Sequence, residues 1–157
     1  MRSIFALLFS FGLIACAFAA EITGPQATLP QAPLVIETAK GPQRFSVEMA
    51  MSWEQQERGL MFRKTLAPNA GMLFDFVKEG EQAFWMKNTL IPLDMLFIKA
   101  DGTVARIAAN AKPLSEESIP SYQPVRAVLE IPGGRAAELG LKAGDKVRQA
   151  IFGNMPR

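Results

Sequence analysis

A chain of 157 residues, 49% hydrophobic and 20% charged, carries enough apolar material for one proper core and too little length for a second domain. The formal net charge is +2, and setting aside the N-terminal segment with Arg2 leaves sixteen basic against fifteen acidic groups, so the pI near 8.8 belongs to a nearly balanced chain. No Lys/Arg cluster would neutralise a run of phosphates, which excludes nucleic acid as an expected partner; the lack of His and the single Cys16 exclude His-dependent triads, imidazole zinc sites and thiol chemistry in the folded domain.

Met1-Arg2-Ser3 is a short positive start, and the apolar run from Ile4 to Ile14 is too short to span a bilayer comfortably. Residues 1–19 read as a secretory signal peptide, with Ala17-Phe18-Ala19 as the small-x-small cleavage pattern and Ala20 as the first residue of the exported chain. The rival reading takes Leu13-Ile14-Ala15-Cys16 as a lipobox, which would tether the domain to a membrane through lipidated Cys16. The expected location is thus the periplasm or the medium, with the membrane-tethered lipoprotein as the alternative and no membrane span in either. With Cys16 cleaved away, no disulfide is available and the core alone must hold the fold.

Residues 20–33, rich in Pro, Gly, Thr and Gln, read as a flexible lead-in, and the single β domain as residues 34–157. Leu34–Thr38 and Arg44–Met49 flank a Lys40-Gly41-Pro42-Gln43 turn and predict a hairpin. Ser52 then precedes a short helix, with Gln55 spaced for a capping box and Gly59 as its stop. Met72–Phe76, Gln82–Met86, Leu93–Ile98, Thr103–Ala108, Val125–Ile131 and Lys146–Phe152 read as further strands, and Gly134–Leu139 as a second short helix. Pro92 cannot donate to a ladder, so Lys87–Pro92 is a loop or edge; Lys112–Pro124, with three Pro, is a long polar loop of the kind that is often functional. About eight short strands with two small helices predict a mainly β fold, a compact antiparallel barrel or sandwich.

Several short runs occur in series: Arg58–Arg63, Gly71–Phe74, Phe84–Thr89, Ile91–Asp94, Leu129-Glu130 with Gly133, and the late Gly140, Gly144 and Asp145. In this order they resemble the motifs of the bacterial and archaeal family called domain of unknown function 192, over about Leu34 to Phe152. The resemblance implies a compact, mostly β, commonly exported protein. It implies no activity.

The chemistry these residues support is read from their types. Asp94 and Glu130, near the ends of predicted strands, could act as general acid and base in glycoside hydrolysis if they faced one another. The plainer reading has Asp94 ordering backbone N–H groups of the Pro92 loop and Glu130 in a half-buried ion pair with Arg58 or Lys87. Trp85 and Trp53 could form a platform for a sugar ring or other flat ligand, with Lys87 and Asn88 bonding at its edge; the competing reading packs Trp85 in the core. Arg58 and Arg63 could hold a ligand anion or pair within the fold, and Gly133-Gly134 could cradle an anion or simply make a turn. Met61, Met72, Met86 and Met95 could bind Cu(I), but thioethers without His or Cys more often fill core gaps, and Asp75, Asp94, Glu130 and Asp145 lack the dense spacing of a calcium loop. No metal or cofactor is expected.

The sequence thus supports a binding or accessory module of the cell envelope, taking a small molecule or glycan on a face built from Arg58, Trp85, Lys87, Asn88, Asp94 and Glu130. The alternatives are a carboxylate-based hydrolase acting on envelope glycans through Asp94 and Glu130, and a purely structural envelope protein.

Overall fold

A computed structural model describes residues 21–155, so the segment expected to be a signal peptide, the expected cleavage site and Cys16 lie outside the described residues. The molecule is mainly β, as expected; the described residues form nine strands, in a seven-stranded sheet and a two-stranded one, and two short α-helices. The strands are β1 (Gln31–Thr38), β2 (Gly41–Ala50), β3 (Ala70–Gly80), β4 (Ala83–Phe84), β5 (Leu93–Ile98), β6 (Val104–Ala111), β7 (Ile119–Pro120), β8 (Val125–Pro132) and β9 (Lys146–Arg148). Helix α1 (Trp53–Arg58) follows β2, and α2 (Arg135–Leu139) follows β8. No helix among the described residues is long and apolar enough to cross a membrane.

The large sheet runs β6-β5-β8-β3-β2-β1-β9. Its two edges curl towards each other and touch where Thr103 bridges Lys146, beside Val104 N–H to Asp145 O (2.9 Å) and Val147 N–H to Gly102 O (2.8 Å). Six of the strand pairings within the two sheets are antiparallel, but β2 and β3 run parallel, because α1 and the loop after it carry the chain back to the starting end. That β-α-β unit is a detail that strand spacing alone did not suggest.

Both faces of the sheet are covered. Inside the curl, Leu34, Ile36, Phe45, Val47, Leu73, Leu96, Leu129, Ile131 and Val147 form one core. On the outer face, Ala50, Met72, Phe74, Leu93, Met95, Phe97 and Val128 form a second under α1, the loop after it and the β4–β7 ribbon. Strands buried on both faces show no hydrophobic alternation, which is why β5 has every residue buried. The lead-in is fastened at two points: Gln26 Nε2 donates to Gln55 O and Gly59 O (3.1 and 2.9 Å), and Leu29 N–H donates to Glu48 Oε2 (2.8 Å). Regular pairing begins at Gln31, opposite Glu48, three residues before the expected start of the domain.

Candidate functional site

The sequence between β2 and β3 builds one wall of a cleft on the outer face. Ser52 Oγ accepts from Gln55 N–H (3.3 Å) while Gln55 Oε1 accepts from Ser52 N–H (3.0 Å), the capping box that the spacing predicts. Gln56 Nε2 ties α1 to Ala50 O and Asp75 O (3.2 and 2.8 Å). Gly59 ends the helix at φ 47°, and a Cβ there would stand 3.2 Å from Phe74 Cζ, so only glycine lets the helix exit close over the sheet.

The opposite wall comes from Phe84 to Thr89. This stretch is held from both sides: Ala83 and Phe84 pair with Pro120 and Ile119 of β7, Met86 N–H donates to Ser115 O, and Phe62 N–H donates to Asn88 O (both 2.8 Å). The Lys112–Pro124 loop thereby supplies β7 and buttresses the wall. Phe84 meets Phe74, Phe76 and Phe97 edge-on at 5.1, 6.3 and 6.2 Å between centroids, contacts that suit the quadrupoles of the rings.

Between these walls lies an open cleft of about 390 Å³. Trp53, Gln56, Glu57 and Arg58 line it from α1; Leu60 and Met61 from the helix exit; Gln82, Phe84, Trp85, Lys87 and Thr89 from the opposite wall; Phe74, Phe76 and Glu130 from the sheet. Both tryptophans of the chain line it.

Glu130 is the unusual group at its base. Register sets it between Met72 of β3 and Met95 of β5, and the residue is only 4% exposed. Its Oε2 has no hydrogen-bond partner among the described residues, and burial alone pushes the carboxyl up to about 8. Arg58 and Lys87, which sequence reasoning offered as its partners, form no salt bridge with it or with any other acid among the described residues. Lys87 Nζ instead lies 5.1 Å from the centre of the Trp85 ring. The acids that do pair on the same sheet are elsewhere: Glu48 with Arg63 (2.9 Å), Asp75 with Arg126 (2.7 Å) and Glu37 with Arg148 (3.8 Å).

The model of the DUF192 family, described as an uncharacterized ACR, matches residues 35–149. The chain belongs to this family. Two solved structures share the fold of this DUF192 chain. One is a candidate transcription regulator from Sinorhizobium meliloti 1021, 42% identical, covering 80% of this chain and 98% of that one, with a TM-score of 0.78. The other is a protein of unknown function from Novosphingobium aromaticivorans DSM 12444, 43% identical, covering 83% and 94%, with a TM-score of 0.77. No curated protein matches the chain.

Of the six residues expected on one face, the DUF192 fold brings four to the cleft: Arg58, Trp85, Lys87 and Glu130. Asn88 sits behind it at φ 56°, where its Nδ2 approaches Met61 Sδ (3.9 Å) and its backbone joins the two walls. Asp94 is on the far side of the sheet. It pairs with Ile131 of β8, and its fully buried carboxylate accepts from the N–H groups of Asn110 (2.8 Å), Gly134 (3.0 Å) and Ala136 (2.7 Å). The anion at Gly133-Gly134 is therefore the protein's own, and the Asp94–Glu130 acid–base pair does not form. Trp85 is 45% exposed because β4 is only two residues long and the chain turns out of the ribbon there, which corrects the reading that packs it in the core. Arg63 answers to Glu48, through two bonds of 3.1 and 2.9 Å, and not to a ligand.

The aromatic wall of Phe74, Phe76 and Phe84 was missed. The signal was present in Glu130 itself: a lone charge inside the otherwise apolar run Ala127–Ile131 asks what surrounds it.

Proposed function

We propose that this DUF192 chain is an exported binding module of the cell envelope whose outer-face cleft takes a small ligand with an apolar body and a polar end. One observation carries the reading. A nearly buried carboxyl in the lining of a cleft, one oxygen of which has no partner among the described residues, is a cost that folding alone gives no reason to keep, and a bound ligand would satisfy it. The volume of the cleft and its mixture of aromatic rings with a few polar groups match the general character of small-molecule sites.

The hydrolase reading loses its acid–base pair with Asp94 on the other face, and Glu57 is the one further acid in the cleft lining. A role in transcription is not carried over from the Sinorhizobium relative, since this chain has no basic cluster for a phosphate backbone. Export rests on the N-terminal pattern of residues 1–19.

The test is a panel of small amphipathic molecules and oligosaccharides titrated against the purified protein, read through tryptophan fluorescence, with Trp85→Ala and Phe84→Ala as controls. Saturable binding that both variants weaken is expected; a response that survives both substitutions would place any binding elsewhere and overturn the reading. Cell fractionation tests the location, and recovery in the cytoplasm would overturn export.

A further inference from the structure

We infer that the cleft recognises a primary ammonium group carried on an apolar body, with the Glu130 carboxylate at the base of the cleft as its counter-ion. The inference deepens the proposed function and rests on the cleft being a ligand site.

The groups around Glu130 decide the sign of the missing partner. Phe74 and Phe84 bring no polar atom, and the cross-strand neighbours Met72 and Met95 bring only thioethers. The charged groups that share the cleft are Glu57 and Arg58 from α1 and Lys87 from the opposite wall, none of them in a salt bridge among the described residues. On the same sheet face, Glu48 is matched by Arg63; Asp94 faces away. The described residues therefore supply no cation to Glu130, although two cations stand in the lining of the same cleft.

A ligand anion would be drawn to Arg58 and Lys87 and would leave Oε2 unpaired. A neutral hydroxyl would give it one bond and no charge. An ammonium group brings three N–H donors and the positive charge that a desolvated carboxylate lacks, and the aromatic walls suit both a cation and an apolar body. In the empty protein burial holds Glu130 protonated up to about pH 8. Binding therefore forms a carboxylate–ammonium contact and sends the Glu130 proton to solvent, one proton for each ligand bound below that pH. Arg58 and Lys87 have a part in this scheme: they repel a second cation and favour a ligand whose far end is neutral or anionic.

The experiment uses three probes with one body, 2-phenylethylamine, 2-phenylethanol and phenylacetate, titrated by tryptophan fluorescence and by calorimetry in two buffers of different ionisation enthalpy. The amine is expected to bind best, tightening about tenfold per pH unit towards pH 8 and levelling above it, with proton release. Glu130→Gln is expected to abolish the preference and the pH slope; Glu130→Met, an apolar replacement of similar length, serves if the amide variant fails to fold. Equal or tighter binding of the alcohol or phenylacetate, affinity that rises as pH falls, or a preference that survives both variants overturns the inference and leaves the cleft a ligand site. Binding of none of the three, when the broader panel does bind, also overturns it; silence of the whole panel overturns the proposed function with it.

Discussion

Asp94 and Glu130 stand on adjacent strands, one residue apart in register, and face opposite sides of the same sheet. One carboxylate is fully spoken for, by three backbone N–H groups; the other is buried with one oxygen that has no partner among the described residues. Two acids of similar chemistry thus have opposite consequences for stability.

Asp94→Ala should cost about 3 kcal/mol or more, since it strands two N–H donors at the start of α2 and one in β6 and removes a charge-assisted acceptor. Asn should cost less, as it keeps one acceptor oxygen. Urea denaturation measures both. Ligand binding in the outer-face cleft should be unchanged in whatever fraction remains folded.

Glu130 should behave in the reverse sense. Its carboxyl lies at 4.5 in an ordinary setting and at about 8 in the folded protein, so the native state holds the proton more tightly across that window. Its contribution is fully favourable below about pH 4.5 and is lost as pH rises towards 8, by an amount on the order of several kcal/mol. Glu130→Met should flatten the difference curve against wild type and raise stability at pH 8 by about 1 to 3 kcal/mol. Chemical denaturation at several pH values decides it, and a difference that does not vary with pH would refute the account.

Gly71→Ala tests the backbone behind that acid. An added Cβ would meet Glu130 O at 2.5 Å and Ile131 Cγ2 at 3.2 Å, so β3 and β8 would have to part. A loss of about 1 to 3 kcal/mol is expected from the crowding, together with altered binding in the cleft. Thermal unfolding and a fluorescence titration report the two effects separately.

Ser52→Ala removes half of the capping box and should cost about 1 kcal/mol. Because α1 carries Trp53 and Arg58 into the cleft wall, ligand affinity should weaken while the sheet is untouched. Hydrogen exchange should quicken in residues 53–59 before it does in β5 or β8.

Local rules made parts of this fold readable. The capping box and Gly59 gave α1, and Pro92 marked where Leu93–Ile98 begins. What stayed hidden depends on partners distant in sequence. The two-residue strands β4 and β7 exist only because each has the other, and the parallel β2–β3 pairing has no local signature. The opposite orientation of Asp94 and Glu130 was obscured for a related reason: in strands buried on both faces the sequence carries no alternation to mark which side is which. Trp85 looked like a core residue from its apolar neighbours, and the early end of the ribbon exposes it.

Pairing between β1 and β9 has a bearing on the order of events in biosynthesis. Val35, near the start of the domain, takes Arg148, near its end, as its neighbour, and Gly102 and Val104 receive the same terminal segment on its other side. The first strand made must wait for the last. A nascent chain that lacks residues 146–148 leaves the seam open, so completion of the fold is deferred until nearly the whole polypeptide has emerged. Under the export proposed above, such a delay would keep the chain unfolded during its passage across the membrane.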